Sequence, residues 1–297
     1  MFNRDTFSGY HPVVNFLYFA LVLLFSMTFM HPVCLALSLV SGGAYAAYLN
    51  RKAFRRKLFS LLPFIVLLAL FNPLFSHAGS TILAYFPNGN PLTQESVVYG
   101  LAAAAMLLTV ILWFSCYNAV MTSDKFVYLF GRIIPSLSLV LSMTLRFVPK
   151  FQAQIKVVSS AQKCVGRDAS KGGVLKRAKK ASTIFSIMLT WAFENAIETA
   201  DSMKSRGYGL RGRTAFSVYR FDARDLAALI YLILCGAYIT VGGCLGGLSW
   251  QYYPTTTGAF AGPFSVSLYL CYFALCVTPL ILNIKEDIKW NALRSIA

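Results

Sequence analysis

Apolar residues in this chain come in long unbroken runs, with the polar ones gathered between them. Six runs hold no Asp, Glu, Lys or Arg: residues 13–30, 33–49, 58–75, 97–120, 226–248 and 264–284. Each is long enough to cross a bilayer, for which about 17–25 residues suffice. His31-Pro32 alone divides the first two, a tight turn at which Pro can open the second helix. The pattern predicts an all-α polytopic membrane protein of about six transmembrane helices. Between the fourth and fifth runs lies a polar insert, which gives three parts: 1–120 with four spans, 121–225 with cytoplasmic or interfacial helices, and 226–297 with two spans and a basic tail.

Inside the insert the pattern changes. Residues 133–145 are apolar but too short to span, and read as an interfacial or buried helix between Arg132 and Arg146. Pro149 is expected to break that run, with a second helical stretch at 151–163 that carries Phe151, Ile155 and Val158 on one face. Gly166 and Gly172-Gly173 mark the turn that follows. Residues 174–206 then hold no Pro or Gly, and Gly207 supplies the stop. A straight helix of that length is about 50 Å long. Ile184, Phe185, Met188, Trp191 and Ala192 form its apolar stripe. Glu194, Glu198 and Asp201 share another face; they form either a solvated face that pairs with nearby Lys and Arg or a docking stripe for a basic partner surface. Arg206 falls in the last turn, where a cation complements the helix dipole. Gly207, Tyr208 and Gly209 leave little bulk around it, so its five-donor fork is presented at a helix tip, suited to a carboxylate or to helix-end carbonyls of a partner.

Charge sets the orientation. Of 27 Lys and Arg, 18 lie in 121–225, five in the connection 51–57, three in the tail (Lys285, Lys289, Arg294) and one at Arg4, whereas 76–96 and 249–263 have none. Both termini are therefore expected in the cytoplasm, with the chain in the plasma membrane. The first span, followed by five more and lacking a small-residue cleavage site, is expected to be retained. The net charge of +16 is then largely topological and needs no nucleic acid; anionic lipid headgroups are the expected neighbours of Arg51, Lys52, Arg55, Arg56 and Lys57. With 57% hydrophobic and 13% charged residues and a mean hydropathy of +0.60, the composition agrees, since soluble chains hold about 25% charged residues.

The candidate chemistry is sparse. Without ionisable residues in the runs, the sequence argues against an ion-coupled transporter or a proton-conducting pump. No P-loop is present, Gly172-Gly173-Val174-Leu175-Lys176 being too short and wrongly ordered. His11, His31 and His77 lie apart and read as capping or interfacial residues. The seven cysteines are scattered and contain no C-x-x-C, so neither a disulfide frame nor a metal site is expected. No catalytic group and no cofactor is indicated, and any work needs energy from a partner. Gly242, Gly243, Gly246 and Gly247 allow close approach of another helix, read as one from the same chain.

Three blocks carry a family resemblance: Leu141-Ser-Met-Thr-Leu-Arg-Phe-Val-Pro149, Ala161-Gln162, and Asp201-Ser-Met-Lys-Ser-Arg-Gly-Tyr-Gly209 with Gly212-Arg213-Thr214. Together they resemble the transmembrane (T) component of energy-coupling factor transporters, the CbiQ/EcfT family. That resemblance implies a non-catalytic subunit that joins two cytoplasmic ABC-type ATPases to a small membrane S component, which binds a vitamin or metal ion. It also implies two coupling helices, each ending in an Ala-Arg-Gly-like triplet that docks on one ATPase. The second triplet maps onto Ser205-Arg206-Gly207. At the first, Cys164-Val165-Gly166-Arg167 puts Val165 where the family has Arg, and Arg167 would have to substitute from a shifted position. The sixth span also departs from the many members that stop after five. Two other readings stay open: a conventional ABC permease with its own substrate path, and a membrane-embedded lipid-modifying enzyme, which the missing acid and base groups disfavour.

Overall fold

The computed structural model describes residues 5–85, 90–131, 134–167, 173–210, 219–258 and 262–296. Among the described residues eight α-helices carry the fold: α1 (Pro12–Thr28), α2 (Pro32–Phe75), α3 (Gln94–Val120), α4 (Ser123–Gly131), α5 (Pro135–Cys164), α6 (Val174–Ser205), α7 (Ala223–Cys244) and α8 (Pro263–Ile296). Two small antiparallel hairpins join spans, β1 (Ile82–Tyr85) with β2 (Pro91–Thr93) and β3 (Trp250–Gln251) with β4 (Thr257–Gly258). The chain divides into two compact units, Met1–Lys125 with Tyr219–Ala297, and Phe126–Val218.

In the first unit, α2 is two passages in one. Asn50 leaves helical geometry at φ −157°, ψ 91°, and the chain reverses there. Before it, Trp113 Nε1 donates to Ser38 Oγ at 3.0 Å and Gly42 lies near Cys116, so this half runs in the direction of α3. After it, Lys57 reaches Ser115 at 2.7 Å while Ala69 and Asn72 flank Gly100, so this half runs against α3. Residues 51–57 are accordingly not the loop that the charge pattern suggested. Asn50 makes the turn alone and its Oδ1 accepts from the Ala53 N–H at 3.0 Å, which starts the second half at once. With α1, α3, α7 and α8, the two halves give six apolar passages.

Their ends sort into two sets. At one end Thr6 N–H donates to Asn283 Oδ1 (2.7 Å), His11 N–H to Asp225 Oδ1 (3.1 Å) and Tyr48 to Asp287 (2.6 Å). At the other, Tyr252 bonds the Met30 carbonyl (2.6 Å) and Ser80 N–H the Pro254 carbonyl (3.2 Å). The first described residue, Asp5, and the carboxyl end of α8 thus share one end of the bundle. There Asp5 accepts from Tyr45 (3.0 Å) and Asn283 (2.5 Å), and buried Lys125 donates to the Ser8 and Val120 carbonyls (2.6 and 3.1 Å). Burial pulls the Lys125 ammonium below its ordinary value, partly offset by Asp5.

Local rules explain the helix starts. His11-Pro12 and His31-Pro32 open α1 and α2 alike: each imidazole Nδ1 accepts from the N–H two residues on, at 3.3 and 3.2 Å, and Pro at the first position has no N–H to leave unpaired. A reciprocal Asp222–Asp225 capping box opens α7. The core centres on fully buried Trp113, ringed by Tyr18, Phe19 and Tyr45. The α7 glycines admit neighbours from the same chain, since a Cβ on Gly243 would sit 2.6 Å from Phe29 and one on Gly247 2.7 Å from Leu268. Large apolar side chains such as Phe59 (83% exposed) stay on the outside, as a lipid-facing surface requires.

In the second unit α5 runs unbroken through Pro149, contrary to the expected break. Proline removes one backbone hydrogen bond. The next two residues are held against α6, where Lys150 Nζ donates to Asn195 Oδ1 at 2.6 Å and Phe151 packs edge-on to Trp191 at 5.1 Å, which keeps the helix continuous.

Candidate functional site

The side chains with a sequence-derived role lie on α5 and α6. These helices run in opposite directions, since Lys150 meets Asn195, Phe151 meets Trp191, and Ile155 shares a groove with Ile184 and Met188. Val165 lies 14 residues beyond Phe151 and Arg206 15 beyond Trp191, about 21 and 23 Å at 1.5 Å per residue. Each helix thus ends on its own arm, nearly equidistant from the contact.

The two ends stop by the same bonds. In α5, Arg167 N–H donates to the Gln162 carbonyl at 2.9 Å and Gly166 N–H to that of Lys163 at 3.0 Å. In α6, Tyr208 N–H donates to Met203 at 3.0 Å and Gly207 N–H to Lys204 at 2.9 Å. Gly166 and Gly207 sit at φ +77° and +71°, as this paired stop requires. Val165 (φ −83°, ψ 10°) and Arg206 (φ −82°, ψ 6°) therefore hold the same backbone place. Arg167 matches Tyr208 and not Arg206, so its side chain starts two residues further on. The stop is not diagnostic by itself, because α7 ends likewise, with Gly247 N–H on the Gly242 carbonyl at 3.0 Å. Exposure of the capping residue does not separate them either, since Leu245 at the α7 stop is as exposed as Val165. What singles out α5 and α6 is that their stops close the two ends of one antiparallel pair outside the six apolar passages.

Val165 is 72% exposed, and Arg206 and Arg167 are exposed as well. Ser205 turns its hydroxyl back onto the Asp201 and Ser202 carbonyls, at 3.0 Å each, so it contributes smallness and not an outward donor. Glu194, Glu198 and Asp201 are all exposed. Among the described residues none is held in an ion pair, so the expected pairing with neighbouring Lys and Arg is not found. The apolar stripe of α6 splits: Met188 is buried and Trp191 half-buried against α5, while Phe185 is 65% exposed. Between the helices a groove of about 240 Å³ is lined by Phe151, Ile155, Ala181, Ile184, Met188 and Ala192 among others. Gly172 and Gly212-Arg213-Thr214 lie outside the described residues. Among the described residues no group of His, Cys, Asp and Glu is placed to hold a metal.

Sequence reasoning missed the polar knot around Asp5 and Lys125, whose partners are up to 278 residues apart and have no local signature. It also missed the equality of the two helix stops, although a glycine two residues past each helix end was visible.

The family model for cobalt transport proteins, CbiQ, matches residues 11–216, well over half of the chain. The chain belongs to the CbiQ family. For a CbiQ protein the matched stretch takes in α1 to α6 whole and leaves α7 and α8 beyond it. Among curated relatives, the energy-coupling factor transporter transmembrane protein EcfT of Lactobacillus helveticus is 37% identical over 102 residues, 34% of this chain and 37% of that protein. EcfT 1 of Listeria monocytogenes is 31% identical over 109 residues, 36% of this chain and 41% of that protein. EcfT of Bacillus selenitireducens is 26% identical over 220 residues, 70% of this chain and 82% of that protein. The chain thus spans about two fifths of the length of the first two relatives in their matched regions and four fifths of the third. CbiQ membership together with the six apolar passages makes this a multi-pass membrane protein of a transporter family.

Proposed function

We propose that this chain is the non-catalytic coupling subunit of an energy-coupling factor importer, passing ATP-driven motion from two cytoplasmic ATPases to a substrate-binding S component for uptake of a vitamin or metal micronutrient. The observation that carries the reading is the pair of matched helix ends, Val165-Gly166 and Arg206-Gly207, on arms of nearly equal length. One rigid pair of helices with two equivalent tips suits a subunit that rests on two related surfaces and moves as a lever. The tips need no catalytic group, because the energy comes from the ATPases. In this reading both termini and both tips face the cytoplasm, which the distribution of Lys and Arg supports.

Arg206 supplies a charged fork at one tip, to be met by a carboxylate or by helix-end carbonyls. Glu194, Glu198 and Asp201, exposed on the same helix, form a docking stripe for a basic surface of an ATPase. The test is Arg206→Glu in the full complex. Recovery of the ATPases with the chain should fall at least tenfold while insertion in the membrane is unchanged. Normal assembly and uptake would remove the role given to Arg206.

A further inference from the structure

Where α2 reverses at Asn50, five cations stand within seven residues: Arg51, Lys52, Arg55, Arg56 and Lys57, all exposed. Among the described residues none of them meets a carboxylate, and Lys57 has a hydroxyl partner, Ser115 Oγ at 2.7 Å. They fill the opening turns of the second half of α2, the positive end of its dipole, while the carboxyl ends of the first half and of α3, the negative ends of theirs, lie beside them. Beside the cations the two halves of α2 and the end of α3 line a half-open cavity of about 230 Å³. Asn50, Lys57, Ser115 and Asn118 give it a polar lining, and Leu49 and Leu112 an apolar one. The cavity lies where the apolar runs 33–49 and 58–75 meet.

We infer that the α2 reversal is a headgroup site for an anionic phospholipid. The cations offset the lipid's charge, with Arg able to hold phosphate oxygens bidentately. Lys57, Asn50 and Asn118 supply donors to the phosphate and glycerol oxygens, and the Leu49–Leu112 side receives the first methylenes of the chains. This site is separate from the α5 and α6 tips and stands whether or not the coupling role holds.

The purified full chain in detergent, titrated with phosphatidylglycerol or phosphatidylcholine and read by native mass spectrometry, tests this. Wild type should retain phosphatidylglycerol at least tenfold better than phosphatidylcholine, and millimolar inorganic phosphate should not displace it. Lys57→Gln combined with Arg51→Gln and Arg55→Gln should remove most of that preference, whereas Arg51→Lys with Arg55→Lys keeps it. Lys176→Gln with Lys179→Gln, exposed cations of α6, should leave it intact. Equal retention of both lipids, full displacement by inorganic phosphate, or an equal loss in the Lys176 and Lys179 variant would each overturn the proposal.

Discussion

The carboxyl ends of α5 and α6 close through the same two backbone bonds around Gly166 and Gly207, yet the residue before the glycine is Val165 in one and Arg206 in the other. A helix stop is decided locally, by a glycine that accepts positive φ and by carbonyls that need donors. What the stop presents is decided by a side chain that the stop does not constrain. Equal geometry with unequal chemistry means that whatever meets these tips distinguishes them: an exposed valine offers a few apolar atoms, while a guanidinium offers five donors. On the coupling reading the two ATPase contacts are therefore equivalent in position and unequal in strength.

Substitutions can break that comparison, the charge reversal at the stronger tip most severely. Arg206→Glu should lower ATPase recovery at least tenfold, a loss of about 1.4 kcal/mol or more in binding. The same glutamate at Val165 should lower it less than threefold, because no fork of hydrogen bonds is lost there. The exchange Val165→Arg with Arg206→Val separates the two tips further. If they are interchangeable, recovery returns to the wild-type level; we expect it to stay severalfold down, as each receiving surface has its own chemistry.

The fold was legible wherever a rule acts locally. Six apolar runs, the His31-Pro32 start of α2, and the glycine stop after Ser205 all follow from neighbours within four residues. Legibility failed where tertiary contacts override local preference. Pro149 should end a helix, but packing of Lys150 and Phe151 on Asn195 and Trp191 carries α5 past it. Asn50 gave no sign of turning the chain in one residue, so 51–57 looked like a loop. At the tips, Arg206 could be singled out by its residue type and position. The equivalence of Val165 needed coordinates, because a valine carries no signal of its own and Arg167 was the more conspicuous residue.

Removing the glycines tests the shared half of the comparison. Alanine at Gly166 or Gly207 must adopt positive φ, which costs about 1 kcal/mol. Nothing else lies within 4 Å of a Cβ added at Gly166, so the backbone conformation is the whole expense there. Each substitution should speed hydrogen exchange at the amide that closes its helix, Arg167 in α5 and Tyr208 in α6, by about fivefold. Similar factors at both ends would support one stop used twice. A large effect at Gly207 with none at Gly166 would show that the α6 end is held by something besides its own backbone.

The smallest effect should come from Arg167→Ala. Arg167 is the arginine nearest to Val165 in sequence, and by charge alone it could replace the arginine that the first triplet lacks. Its backbone position argues otherwise, because it aligns with Tyr208 and its N–H is spent on the Gln162 carbonyl. Its Cβ therefore leaves the chain beyond the glycine, after the helix has stopped, in a different direction from that of Arg206. As an exposed cation outside a fixed geometry it is worth a few tenths of a kcal/mol at most. ATPase recovery with Arg167→Ala should stay within twofold of wild type, and raising the salt concentration should change both alike. A tenfold loss would mean that the arginine at the α5 end acts from its shifted place, and the two tips would then be alike in chemistry as well as in backbone.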